Sequence, residues 1–137
     1  MLLVQYQPSN NRSQIKKSER GNYLILDAYN ANPSSMNLAV DELLLYKGNK
    51  LFILGDMKEL GSVSEEEHIK VIKKIHNAGC KAIFIGQEFL KYSNTIYPFF
   101  ESVDQLIESS KLESVYNCKI LIKGSRSVKL EKLESYL

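Results

Sequence analysis

At 137 residues, with 44% hydrophobic and 25% charged residues and a formal net charge of +2, the chain has the makeup of one globular domain able to bury a core without staples. Lysines alternate with glutamates along its helical stretches, so no basic face suits a nucleic-acid backbone, and no stretch approaches the ~18 apolar residues of a membrane span. The two cysteines, Cys80 and Cys118, lie far apart beside apolar runs, which excludes a disulfide scaffold or a clustered zinc site and predicts two buried thiols.

The first twenty residues are polar and lack periodicity, and read as a connector or the end of a preceding segment. The opening "MLLVQYQPSNNRSQ" has no leader pattern, so a cytoplasmic location is the expectation. From residue 22 onward, short apolar runs alternate with amphipathic stretches in the βαβ rhythm. The runs are "YLILDAY" (23–29), "KLFILGD" (50–56), "KAIFIGQ" (81–87) and "KILIKGS" (119–125), with "TIYPFF" (95–100) a fifth that Pro98 demotes to an edge. Their continuous hydrophobicity predicts strands covered on both faces, as in a parallel sheet. Residues 34–46 and 64–78 carry apolar side chains at helical spacing, and Gly79 is placed to end the second helix. Ser64 with Glu67 and Ser102 with Gln105 read as capping boxes. A last helix is expected through "RSVKLEKLESYL". The fold class that follows is α/β: a Rossmann-like, open, mostly parallel sheet with helices on both faces.

In such a sheet, ligands bind beyond the carboxyl ends of the strands, where helix N-termini offer unpaired N–H groups. Three corners there are unusually polar. In "DAYNANPSS", Pro33 suits the first helical position and Asn32 the N-cap. Asn30 reads as a turn residue or a ligand contact. Asp27 ends an apolar strand, so its carboxylate needs either a local donor or a ligand that offers hydroxyls, such as a ribose. Tyr29 either stacks on a base or packs on the adjacent helix. In "GDMKELGS", Asp56 and Glu59 are an acidic pair suited to a substrate amine or a magnesium ion, or to a helix dipole. His68, on the following helix, reads as a packed histidine and His76 as an exposed one. In "KGSRS", Gly124 permits close backbone approach, Ser125 is placed to cap a helix, and Lys123 and Arg126 make the best site for a carboxylate or phosphate. No Gly-Lys dipeptide occurs, so no P-loop for a triphosphate is present. Neither a nucleophile triad nor a metal-ligand set appears.

Taken together, "NNRSQ" (10–14), "DAYNANPSSM" (27–36), "LGDMKELG" (54–61) with His68, and "KGSRS" (123–127) resemble the C-terminal domain of the Mur ligase family, in its D-alanyl-D-alanine-adding, MurF-type branch. The likeness runs over nearly the whole chain. It implies that residues 1–20 are the hinge or end of a central ATP-binding domain and that 21–137 are the C-terminal domain. The domain would close over ATP in a ligase that joins D-Ala-D-Ala to UDP-N-acetylmuramoyl-tripeptide, and would be inactive alone. Magnesium and the catalytic residues would sit mainly in the central domain, with no catalytic or metal-binding residue in this stretch.

By the same resemblance, Arg12, Asp27, Tyr29, Asn30 and Asn32 would bind ATP, while Asp56, Glu59, Lys123, Ser125 and Arg126 would face D-Ala-D-Ala. The partners implied are these small molecules, with no nucleic acid or membrane, and a monomer is expected. A non-catalytic nucleotide- or peptide-binding α/β module is the competing reading.

Overall fold

The structure, a computed structural model, describes residues 14–137. Six strands form one sheet: β1 (Gln14–Lys17), β2 (Tyr23–Asp27), β3 (Lys50–Gly55), β4 (Lys81–Ile85), β5 (Phe99–Phe100) and β6 (Lys119–Lys123). Their order is β1-β2-β6-β3-β4-β5. Only β1 runs antiparallel to its neighbour; the other pairings are parallel. Four α-helices accompany them: α1 (Pro33–Leu44), α2 (Ser64–Asn77), α3 (Gln87–Leu90) and α4 (Val103–Glu108).

The strands form where the sequence is apolar on both sides of the pleat, because both faces are covered. One face buries Met36, Val40, Val71, Ile75 and Phe89, from α1, α2 and α3, against Phe52, Leu54 and Phe84. The other buries Leu106 of α4 and the C-terminal Leu130, Leu133 and Leu137 against Ile53, Ile85, Ile120 and Ile122. The two layers bear out the expected fold class. Pro98 sits just before β5 and still contributes its carbonyl, which accepts from Phe84 N–H at 3.1 Å. The proline therefore fits only at the edge, where its missing N–H breaks no ladder bond.

Helix ends follow local chemistry in part. Asn32 caps α1: its Oδ1 accepts from Ser35 N–H at 2.9 Å, and the Ser35 hydroxyl accepts in return from Asn32 N–H at 3.2 Å. Gly79, at φ 70°, follows α2; Cys80 N–H donates to Ile75 O and Gly79 N–H to His76 O, the paired closure of a Schellman end. Ser102 caps α4 by accepting from Gln105 N–H at 3.2 Å, while Gln105 Oε1 accepts from Glu101 N–H.

Other expectations fail for tertiary reasons. Ser64 caps nothing, since a 3₁₀ turn (Gly61–Val63) leads directly into α2 and turns its hydroxyl toward Glu88 Oε1, at 2.9 Å. The C-terminal stretch is two 3₁₀ segments, Arg126–Val128 and Leu130–Tyr136, broken by Lys129 at φ 62°. That reversal seats Leu130 and Val128 over Gly55, where a continuous α-helix would carry them past it. Strand β1 is absent from the sequence reading because its "QIKK" is half-buried at one residue and exposed at the rest, too polar for an alternation to register. Cys80 and Cys118 are partly exposed rather than buried.

Candidate functional site

Strand β6 is last in sequence but lies between β2 and β3. The chain leaves β2 and β3 for α1 and α2 on one face, and leaves β6 for the 3₁₀ segments on the other. This divergence is a topological switch point, where an open parallel sheet leaves a crevice beyond its strand ends. The three polar corners therefore stand side by side. They touch directly: Ser125 N–H donates to Asp56 O at 2.9 Å, and a Cβ on Gly124 would come within 2.8 Å of Gly55 Cα. Gly124 is thus glycine because two backbones meet there, as its position in "KGS" suggests.

The first and third corners are joined by charge. Asp27 and Lys123 are register partners on β2 and β6, so their side chains emerge side by side on the same face. Lys123 Nζ donates to Asp27 Oδ2 at 2.7 Å and to Asn30 O at 3.3 Å. Lys123 is only 2% exposed, whereas the Asp27 side chain keeps 17% of its surface in solvent. Beside this pair, the Arg126 guanidinium lies 4.4 Å above the Tyr29 ring, a cation–π contact. Asp27 thus has the local donor that its position at a strand end demands. A groove of about 500 Å³ runs below, between β1 and α1, with Ile15, Ile25 and Leu38 among its walls and Asp27 and Lys123 at its upper end.

The second corner is locked inward. Asp56 is 1% exposed, and its two oxygens accept from Glu88 N–H and Phe89 N–H, both at 2.9 Å, at the start of α3. Lys58 stands 3.7 Å from Oδ2. Asp56, read either as a substrate or metal acid or as an acid at a helix start, fastens the end of β3 to the start of α3, and Glu59 is the acid of this corner left exposed, on left-handed backbone at φ 62°. His68 is fully buried; its Nε2 accepts from Met57 N–H at 3.1 Å, and its Nδ1 lies 2.8 Å from Ser64 O. That geometry fixes the neutral tautomer with the proton on Nδ1, bridging α2 to the corner. Glu88 is held below its ordinary pKa first by the Ser64 hydroxyl and then by Lys91.

Of the residues expected to hold ligands, Tyr29 (46% exposed), Asn30, Asn32, Glu59 and Arg126 reach solvent at the switch point, with Asp27 partly exposed. Asn32 also spends its carbonyl oxygen on the helix cap. Ser125 is buried, its hydroxyl 3.3 Å from that of Ser127, and caps no helix. Arg12 lies outside the described residues. Among the described residues, no three acidic, histidine or cysteine side chains converge to hold a metal ion. Nor is any helix among them long and apolar enough to cross a membrane. A further concavity follows the outer face of α2, from Ser62 at the end of the second corner to Asn77, and none of the other corner residues lines it.

A family model described as "Mur ligase, glutamate ligase domain" matches residues 11–126. The chain is 38% identical over 120 residues to the UDP-N-acetylmuramoyl-tripeptide--D-alanyl-D-alanine ligase of Rickettsia prowazekii, covering 82% of this chain and 27% of that protein. Against the Bacillus subtilis enzyme of the same name, identity is 33% over 134 residues, covering 89% of this chain and 29% of that one. The fold superposes on a MurF ligase of Thermotoga maritima solved with ADP, with a TM-score of 0.79 at 22% identity over 96% of this chain and 31% of the other. It superposes as well on MurF of Acinetobacter baumannii, with a TM-score of 0.74 at 28% identity over 96% of this chain and 30% of the other. The chain thus spans less than a third of the length of these relatives.

Proposed function

This chain belongs to the Mur ligase family as its glutamate ligase domain, and from that membership we propose that it is the C-terminal domain of an ATP-dependent ligase that adds D-alanyl-D-alanine to UDP-N-acetylmuramoyl-tripeptide. The observation that carries this reading is the meeting of three polar corners at one switch point, on a chain whose relatives bear that activity in their names. In the reaction, the tripeptide carboxylate attacks the γ-phosphate of ATP and releases ADP, giving an acyl phosphate. The amine of D-Ala-D-Ala attacks that carbonyl, loses a proton and expels phosphate, leaving an amide. Magnesium, when bound by the preceding ATP-binding domain, would offset the phosphate charge.

The chain's own residues bind and orient. Asp27 accepts from the ribose hydroxyls with the face of its carboxylate left in solvent; Tyr29, Asn30 and Asn32 flank the adenine side, and Arg12 reaches the phosphates. Glu59 and Arg126 border the dipeptide cleft, with Ser125 shaping its floor and Asp56 fixing its wall. The protein acts in the cytoplasm, as a monomer, in peptidoglycan precursor synthesis.

The test is a steady-state assay of the longer polypeptide that joins this chain to its ATP-binding domain. ATP turnover is expected only with both UDP-tripeptide and D-Ala-D-Ala present, and Asp27→Ala is expected to raise KM for ATP at least tenfold. An unchanged KM for ATP sinks the ribose assignment. Turnover by residues 14–137 alone would refute the division of labour between the domains.

A further inference from the structure

We propose that Lys123 is a positioning residue of the nucleotide corner, acting through Asp27, and not a contact for the incoming dipeptide. The inference rests on the reading of Asp27 as the ribose ligand, and it reassigns the lysine within that reading. Three observations carry it. First, the ammonium is enclosed: Lys123 is 2% exposed, and two of its three N–H donors serve Asp27 Oδ2 at 2.7 Å and Asn30 O at 3.3 Å. A cation this deeply buried and already paired presents almost no surface to a substrate carboxylate. Second, its two partners flank one corner, Asp27 at the end of β2 and Asn30 in the loop after it, so the lysine fixes the carboxylate rotamer and the backbone of that corner at once. Third, Arg126 crosses in the same direction, stacking over Tyr29 at 4.4 Å. The cations of "KGSR" therefore lean toward the β2 corner, and β6 serves as the strut that holds it.

A carboxylate that must accept from two vicinal hydroxyls needs a fixed plane, since a rotating acid loses part of each bond to disorder. Lys123, bonded to one oxygen and rigid by burial, supplies that plane and leaves the other oxygen for the ligand. Replacing it should therefore weaken nucleotide binding while sparing the dipeptide.

The experiment uses the full-length ligase carrying this domain, with Lys123→Met, Asp27→Asn and the double variant, and measures KM for ATP, KM for D-Ala-D-Ala and kcat. Lys123→Met is expected to raise KM for ATP tenfold or more, with KM for D-Ala-D-Ala within twofold of the parent. The double variant is expected to match Asp27→Asn alone, because the lysine acts only through the acid. A tenfold rise in KM for D-Ala-D-Ala with KM for ATP unchanged overturns the proposal, as does full additivity of the two substitutions. If Asp27→Asn itself leaves KM for ATP unchanged, the ribose reading has failed instead, and the inference falls with it. Should Lys123→Met not fold, the neutral pair Asp27→Asn/Lys123→Met is compared with Asp27→Asn. Equal KM for ATP and an unaltered dipeptide KM support the assignment, and a raised dipeptide KM defeats it.

Discussion

Lys123 and Asp27, 96 residues apart in sequence, meet as register partners on adjacent parallel strands and form a 2.7 Å ion pair with the lysine buried. Removing one member of a buried pair strands the other, at a cost of about 3–5 kcal/mol when both are enclosed. Asp27 keeps some solvent access, so Lys123→Met is expected to destabilise the chain by about 2–3 kcal/mol. Asp27→Asn/Lys123→Met should recover at least half of that loss. Urea unfolding of the four species forms a double-mutant cycle; a coupling near zero would mean the pair does not organise the corner.

Gly86 connects β4 to α3 at φ 124°, and a Cβ there would collide with the Asp56 carboxylate. Gly86→Ala combines backbone strain with displacement of a buried acid, for an expected loss of about 3 kcal/mol or more. Gly61, at φ 58° with no heavy atom within 4 Å of its would-be Cβ, is the matched control. Gly61→Ala should cost only about 1 kcal/mol. Similar midpoints for the two variants in chemical denaturation would contradict the contact with Asp56.

Asn32 is both a helix cap and a candidate contact for the adenine side. Asn32→Ala should cost about 1 kcal/mol through loss of the bond to Ser35 N–H. Asn32→Asp, which keeps the capping oxygen, should retain the parent melting temperature. A rise in KM for ATP in the full-length ligase with Asn32→Asp would reveal a second role; an unchanged value assigns this residue to the cap alone.

Glu88 accepts from Ser64 Oγ at 2.9 Å and pairs with Lys91 at 3.1 Å, and its pKa lies below the usual glutamate value for those reasons, the serine bond first. A carboxyl whose folded pKa is depressed contributes stability that is present above its unfolded pKa and lost as pH falls through the folded one. Ser64→Ala should therefore destabilise the chain at pH 7, and the difference from the parent should shrink toward the acid side of pH 4.5. A pH-independent difference in melting temperature would assign the loss to packing. Titration of Glu88 followed by NMR should show its midpoint rising in the variant.

Elements whose signals are local read correctly from the sequence. Asn32–Pro33 starts a helix, Gly79 ends one, Ser102 with Gln105 starts another, and four apolar runs are core strands. Misreadings occur where a distant neighbour outweighs a local preference. Ser64 has the spacing of a cap, yet Glu88 on another helix takes its hydroxyl. The C-terminal residues have helical periodicity, yet Leu130 must settle on Gly55 and Gly124, and Lys129 turns left-handed to put it there. Asp56 reads as an acid suited to a ligand or a helix start, and the helix whose first N–H groups claim both its oxygens, α3, is 32 residues away in sequence. The groove between β1 and α1 has no sequence signature at all, since it depends on an antiparallel edge strand too short and polar to announce itself.

Periodicity, caps and short motifs are written in neighbouring residues, so the α/β class, the three polar corners and the family are legible in the sequence alone. How those corners are wired depends on contacts across the whole sheet. Inserting β6 between β2 and β3 sets Lys123 against Asp27 and Arg126 over Tyr29, and pairing between strands so remote is fixed by the packing of the whole sheet.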